Sequence, residues 1–167
     1  MIEISQQHLQ NIYNQAENTY PQECCGIIIG HRQENTKIVV KIICTENVWN
    51  SDESVNFPSE DVTLNQKMGK TRRYAIAPLD MLQAQKSARD RNMDIIGIYH
   101  SHPDYQAIPS EFDRNCAWQE YSYIIVSVIQ GKIDDIQSWV LDENHQFQKE
   151  NIKLEDIKQI EDIEKLS

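Results

Sequence analysis

The length, composition and charge of this chain exclude several classes of protein. Its 167 residues suffice for one domain with a substantial core, and 40% hydrophobic with 25% charged residues is typical of a soluble globular protein. A formal net charge of −10 argues against a nucleic-acid partner, because such proteins usually carry a basic patch. The longest apolar runs are strand-sized, so we expect no signal peptide, no membrane span and a cytoplasmic location.

The first part of the chain predicts one helix followed by two strands. Ser5 is a candidate N-cap, and apolar residues recur along one helical face until Pro21 ends the helix. Residues 25–30 and 37–44 are apolar and β-branched, which predicts two strands joined by a polar turn. The segment 47–70 is polar and lacks periodicity, so we expect it to be rich in loops.

The second part predicts alternating strands and helices. Residues 72–77 are expected to form a short strand, and Pro78 suits the first turn of a helix that runs to about Asn92. Four side chains would form the apolar face of that helix: Met81, Leu82, Ala84 and Ala88. A buried strand over 94–99 follows, then a short helix that begins after Ser110. Two last strands are predicted at 123–129 and 136–141, connected through Gly131.

The C-terminal segment 154–167 is acidic and has an apolar residue at every third position. A strict three-residue spacing drifts around an α-helix, so two interpretations stay open. The segment could pack on its own domain as an amphipathic helix, or it could be the helix of a homodimer or partner contact. We therefore separate a domain at 1–153 from an acidic helix or tail at 154–167.

The four cysteines give no sign of a structural metal or disulfide framework. Cys24, Cys25, Cys44 and Cys116 contain no C-x-x-C pair, and the H-x-E and P-C-x-x-C motifs of zinc deaminases are missing. We expect four reduced thiols, packed mostly as small hydrophobic side chains. A redox function for Cys24 is an alternative. It would require a lowered thiol pKa, and the sequence shows no feature that would lower it.

The most informative motif is His100-Ser101-His102-Pro103, which Ser110 and Asp113 follow. In a strand, residues i and i+2 point to the same face, so His100 and His102 would project together while Ser101 points away. A short helix after Ser110 would bring Asp113 back beside them. Two imidazoles and one carboxylate leave a fourth tetrahedral position open, which is typical of a catalytic zinc site.

Ser110 and Asp113 also have the spacing of a helix capping box, with Ser110 at the N-cap. Glutamate would serve that box better than aspartate, so we favour metal ligation for Asp113. Ser110 is compatible with both a capping and a catalytic function.

This set of residues resembles the JAMM (MPN-plus) metalloprotease family, whose pattern is a distant Glu, then H-x-H-P, then S-x-x-D. The distant Glu would be Glu23, in Pro21-Gln22-Glu23-Cys24-Cys25-Gly26. The resemblance covers roughly residues 5–150. Residues 99–118 and the strand 121–128 look like the small bacterial branch that is associated with ubiquitin-like sulfur-carrier proteins.

The resemblance implies a fold and a division of labour. The fold would be a single α/β domain, with a curved mixed β-sheet flanked by helices in the deaminase-like architecture of the family. One zinc ion would be held by His100, His102 and Asp113, Glu23 would be general base and then acid, and Ser110 would donate to the oxyanion. Without the family pattern, Glu23 could equally be a solvated turn residue ahead of a strand.

The function implied by the resemblance is a zinc-dependent peptide or isopeptide hydrolase. It would cleave after the C-terminal Gly-Gly of a ubiquitin-like sulfur carrier, for example releasing carrier-bound cysteine. One alternative is an isopeptidase that removes a ubiquitin-like tag from lysine. Another is a non-catalytic scaffold of the MPN-minus type, whose members lack the metal ligands that are all present here.

Overall fold

A mixed β-sheet organises the protein, and the computed structural model describes residues 1–50 and 69–155. The strands are β1 (Ile2–Ile4), β2 (Cys25–Gln33), β3 (Thr36–Thr45), β4 (Asp94–Pro103), β5 (Ser122–Ile129), β6 (Lys132–Leu141), β7 (Phe147–Glu150) and β8 (Ile152–Leu154). The helices within these residues are α1 (Gln6–Thr19), α2 (Pro78–Asp90) and α3 (Glu111–Asn115).

The sheet curls until its two ends come close together. Its strand order is β7-β6-β5-β4-β2-β3-β1-β8, and the terminal strands β7 and β8 are separated along the chain by Asn151 alone. Glu150 of β7 accepts hydrogen bonds from Ser122 of β5 (2.6 Å) and Ser138 of β6 (2.9 Å). The ammonium group of Lys37, on β3, lies 3.7 Å from the same carboxylate. The predicted single α/β domain with a curved mixed sheet is confirmed.

Helix α1 covers one face of the sheet. It begins after Ser5, whose hydroxyl accepts a hydrogen bond from the His8 backbone N–H (3.1 Å), as the sequence predicts. Leu9 and Ile12 of α1 pack against fully buried isoleucines, Ile28 among them. Burying these side chains on a common surface is the main source of stability for such an arrangement.

Helix α2 covers the opposite face, where Ala84 and Ala88 pack against Ile27 and Ile98. Small alanines allow the helix to lie close to the strands. Leu82 is 60% exposed, so its predicted place on the buried side of this helix is wrong. The two helices therefore sandwich the central strands β2 and β4.

Residues 72–77 do not form the predicted strand. Their backbone is bound by one side chain instead: Asn47 donates to the Arg73 carbonyl (3.0 Å) and accepts from the Ala75 N–H (3.2 Å). The Val48 N–H also donates to the Ala75 carbonyl (3.0 Å). These bonds satisfy backbone groups of Arg73 and Ala75 without a strand ladder, which a propensity pattern cannot foresee.

Three strands were not predicted, and one begins earlier than expected. β1, β7 and β8 contain three or four residues each, which is too short for alternation to stand out from the neighbouring sequence. β6 begins at Lys132 rather than at residue 136. The prediction that Gly131 turns the chain into this strand is confirmed by its positive φ of 82°.

Two predictions concern residues outside the described ranges. The loop-rich segment 47–70 falls largely on residues 51–68, and the acidic helix or tail 154–167 falls on 156–167 except at its start. Leu154 belongs to β8, and the Glu155 N–H donates to the Ile4 carbonyl (3.0 Å). Among the described helices, none is both long and apolar enough to cross a membrane.

Candidate active site

Strand β4 brings His100 and His102 to one face of the sheet. It pairs with β2 on one side and β5 on the other, and both imidazoles are fully buried near its C-terminal end at Pro103. Ser101 lies on the opposite face, where its hydroxyl accepts a hydrogen bond from the Cys24 N–H (2.8 Å). The predicted alternation is therefore confirmed.

Helix α3 brings Asp113 to the two histidines and is capped by Ser110. The Ser110 hydroxyl accepts from the Asp113 N–H (3.1 Å), and Asp113 Oδ2 accepts from the Ser110 N–H (2.8 Å). This is a complete capping box. The same carboxylate lies beside both histidines, so capping and ligation are not alternatives for Asp113; one geometry allows both.

Three candidate ligand side chains converge on a single point. His100 Nε2 lies 3.1 Å from His102 Nε2 and 3.2 Å from Asp113 Oδ1, and His102 Nε2 lies 3.1 Å from Asp113 Oδ2. Ligands held at about 2.0–2.1 Å by a tetrahedral ion are separated by roughly 3.3 Å. The observed triangle therefore fits a small divalent metal ion with its fourth position open.

The tautomer of His102 also fits a metal ligand. His102 Nδ1 lies 2.7 Å from the Gln106 carbonyl oxygen, which can only accept a hydrogen bond, so Nδ1 carries the proton. The lone pair of the neutral ring is then on Nε2, which faces the centre of the triangle. His100 differs, because its buried Nδ1 has no partner within residues 1–50 and 69–155. Stacking on Tyr74 (ring centroids 4.5 Å apart) fixes this ring instead.

Glu23 lies next to this group, in the segment that leads into β2. It is 1% exposed, so the alternative of a solvated turn residue is wrong. Its backbone N–H donates to the Lys70 carbonyl (2.7 Å), and its own carbonyl accepts from Asn47 (3.0 Å). Oε1 accepts a hydrogen bond from the Tyr105 hydroxyl (2.8 Å), whereas the buried Oε2 has no partner in the described part of the chain.

Burial and neighbouring charges separate the two carboxylates of the site. Burial raises the pKa of Glu23 to about 8, against the opposing effect of His100. Burial also disfavours the charge on Asp113, but His100 and His102 outweigh it and hold its pKa well below the ordinary value. Positive charge added to the ligand group would stabilise the Glu23 carboxylate and lower its pKa.

Comparison of the sequence with known protein families identifies the family to which this fold and site belong. Residues 5–142 match the family described as prokaryotic homologs of the JAB domain. The chain belongs to this family. The predicted JAMM/MPN membership is therefore confirmed, and the site described above lies entirely within the matched residues.

Two curated relatives of this JAB-domain protein are named desampylases. The desampylase of Haloferax volcanii is 29% identical over 111 residues, which are 64% of this chain and 63% of that protein. The match thus spans less than two thirds of the Haloferax protein. The desampylase of Pyrococcus furiosus is 24% identical over 133 residues, which are 80% of this chain and 76% of that protein.

Solved structures support the fold. A protein of Desulfitobacterium hafniense superposes with a TM-score of 0.72 at 22% identity, covering 93% of this chain and 94% of that chain. A protein of Salinibacter ruber gives a TM-score of 0.64 at 27% identity, with coverage of 95% and 94%. A JAB1/MPN domain protein from Archaeoglobus fulgidus gives 0.50 at 14% identity, with coverage of 93% and 98%.

The two buried thiols next to Glu23, those of Cys24 and Cys25, are not activated. Cys24 and Cys25 are buried, and burial raises the pKa of Cys24 to about 12. A thiol with so high a pKa is a poor nucleophile and redox centre, which argues against a redox function for it. Cys44 is exposed and Cys116 partly buried, so the expectation of mostly buried thiols is correct for two of the four.

Three residues of the site were missed by the sequence reasoning. Tyr105 bonds to Glu23, Asn47 holds the Glu23 backbone, and Tyr74 stacks on His100. They come from three separate loops with no spacing rule between them. The only available signal was their composition, since an aromatic or amide residue in a polar loop often has a specific partner.

Proposed function

We propose that this protein is a zinc-dependent hydrolase that cleaves the bond after the C-terminal Gly-Gly of a ubiquitin-like protein. The observation that carries the proposal is the pairing of a three-ligand group with Glu23 Oε2, a buried carboxylate oxygen that has no hydrogen-bond partner among the described residues. Buried polar atoms are nearly always hydrogen-bonded, so an exception beside a ligand group calls for a functional explanation. A proton acceptor for catalysis is that explanation.

Each residue of the candidate site then has a defined function. His100, His102 and Asp113 would hold zinc, which supplies Lewis acidity and lowers the pKa of a water molecule to about 7. Glu23 accepts the proton of the attacking water at Oε2 and returns it to the leaving amine. The Ser110 hydroxyl accepts from the Asp113 N–H, so its own proton remains to donate to the developing oxyanion.

The burial of the site favours a substrate segment without side chains. Glu23, His100, His102 and Asp113 are each 5% exposed or less. A chain that carries side chains next to the scissile bond would have to displace packed protein, whereas glycine residues would not. The Gly-Gly terminus of a ubiquitin-like protein meets this requirement.

Two leaving groups fit the same chemistry. The first is cysteine joined to the carrier terminus by a peptide bond, which we favour because the chain resembles the sulfur-carrier branch of the family. The second is a lysine side chain in an isopeptide bond, which the two relatives named desampylases favour. Both require the same water attack on the carbonyl of the terminal glycine.

Intact mass spectrometry of a ubiquitin-like sulfur carrier tests the proposal. One sample carries a C-terminal cysteine, and a second carries the same carrier linked to the ε-amine of a lysine peptide. We expect the zinc-loaded protein to remove the cysteine, chelator to stop the reaction, and restored zinc to recover it. Cleavage of the lysine conjugate alone would select the second candidate, and cleavage of neither by zinc-loaded protein would contradict the proposal.

A further inference from the structure

The loop between β4 and α3 is held in place by hydrogen bonds to four consecutive residues, 104–107. Each accepts a hydrogen bond at its side chain or carbonyl from a different part of the fold. The donors are the Gln130 N–H and the Tyr20 hydroxyl to the Asp104 carboxylate, the Ser127 hydroxyl to the Tyr105 carbonyl, His102 Nδ1 to the Gln106 carbonyl, and Trp139 Nε1 to the Ala107 carbonyl. Any side chain on this loop is therefore presented from a rigid platform.

From this rigid loop, the Tyr105 side chain contacts both Glu23 and His102. Its hydroxyl donates to Glu23 Oε1 (2.8 Å), and its ring stacks on His102 with centroids 3.9 Å apart and an interplanar angle of 15°. The guanidinium of Arg72 lies over the same ring, 4.7 Å from its centroid. One side chain thus contacts the proposed base and one proposed ligand at once.

We propose that Tyr105 is the positioning residue of the base and of His102. The terminal torsion of a glutamate is broad and nearly two-fold, so a buried carboxylate is not oriented by rotamer preference alone. The hydrogen bond from Tyr105 occupies Oε1 and leaves Oε2 as the oxygen that takes the proton. This inference rests on the proposed function of Glu23 as general base.

The hydroxyl and the ring of Tyr105 have separable effects. Among the described residues, the hydroxyl hydrogen-bonds only to Glu23, and the ring covers one side of the His102 imidazole, whose Nδ1 is held by Gln106. Removing the hydroxyl should loosen the base and leave the ligand in place. Removing the ring as well should also weaken metal binding, since groups that orient metal ligands typically contribute about 10–100-fold to affinity.

The test compares Tyr105→Phe and Tyr105→Ala in the full chain, with Tyr99→Phe as the matched control. Tyr99 immediately precedes His100 but faces α1, where its hydroxyl bonds to Gln15 (2.5 Å). Zinc affinity is measured by competition with a chromophoric chelator. The kinetic constants kcat and KM are measured with whichever carrier adduct the wild type cleaves. Crystal structures of wild type and Tyr105→Phe report the conformation of Glu23.

For Tyr105→Phe we expect a kcat about tenfold lower, with KM and zinc affinity unchanged, and a Glu23 carboxylate that is rotated or in several conformations. Tyr105→Ala should bind zinc about tenfold more weakly as well. Tyr99→Phe should match wild type in kcat and zinc affinity. An unchanged Glu23 conformation in Tyr105→Phe would overturn the inference, even if the wild type cleaved no carrier adduct and the proposed function itself had failed.

Discussion

The candidate ligand group and the proposed base differ in which parts of the chain position them. All three candidate ligands come from residues 100–113, and the strand period and one capped helix suffice to bring them together. Glu23 depends instead on Lys70, Asn47 and Tyr105, which are distant in sequence from it and from each other. The candidate ligand group is thus a local feature of the sequence, whereas the position of the proposed base is a product of tertiary structure.

The largest effect on metal content and activity is expected from a substitution in the candidate ligand group. His102→Ala removes one of three ligands, and two remaining ligands hold zinc poorly, so we expect loss of both metal and activity. Metal content after dialysis is measured by elemental analysis. His31→Ala, at an exposed histidine of β2, is the control and should keep its zinc. Full occupancy in His102→Ala would show that the metal is bound elsewhere.

The next largest effect is expected from a substitution of the proposed base, Glu23. Glu23→Gln keeps the shape and the hydrogen bond from Tyr105 but removes the proton acceptor, so we expect zinc to be retained and kcat to fall by about 10²–10⁴-fold. Single-turnover hydrolysis together with metal analysis makes this measurement. Activity close to wild type would mean that another group takes the proton.

A third prediction separates the two functions of Ser110. Ser110→Ala removes the hydroxyl and the N-cap of α3, while Ser110→Gly removes the hydroxyl but preserves most of the capping stability. We expect kcat to fall by about 10²–10³-fold in both. The free energy of unfolding should fall by about 1 kcal/mol in the alanine variant only. Equal kcat in wild type and both variants would leave Ser110 with a capping function alone.

The smallest effect on catalysis concerns the support of the base. Within the described residues, Asn47 makes four hydrogen bonds, to the Glu23 and Arg73 carbonyls and from the Trp49 and Ala75 N–H groups. Asn47→Ala leaves several buried groups unsatisfied, so we expect a loss of about 3 kcal/mol in the free energy of unfolding.

The catalytic cost of Asn47→Ala should stay at about tenfold. We expect zinc stoichiometry to be unchanged, because the described contacts of Asn47 include none of the three candidate ligands. Denaturant unfolding and metal analysis make the two measurements. Loss of zinc at intact fold would contradict the separation between the ligand group and the base.

The same distinction explains how much of the molecule could be predicted from sequence. Alternation placed His100 and His102 on one face, and a cap signal placed Ser110 at the start of a helix, because both depend on neighbours in the chain. Glu23 was found through the family pattern, since its burial depends on residues elsewhere. Tyr105 carried only the weak signal of an aromatic residue in a polar loop, because the partner of a loop side chain is set by tertiary packing.

Anomalous diffraction at the zinc absorption edge, from crystals grown with zinc, is the most direct test of the central claim. The account predicts one strong peak bounded by His100 Nε2, His102 Nε2 and the Asp113 carboxylate, next to Glu23 Oε2. A peak bound at other residues, or none at this position in crystals with saturating zinc, would contradict it.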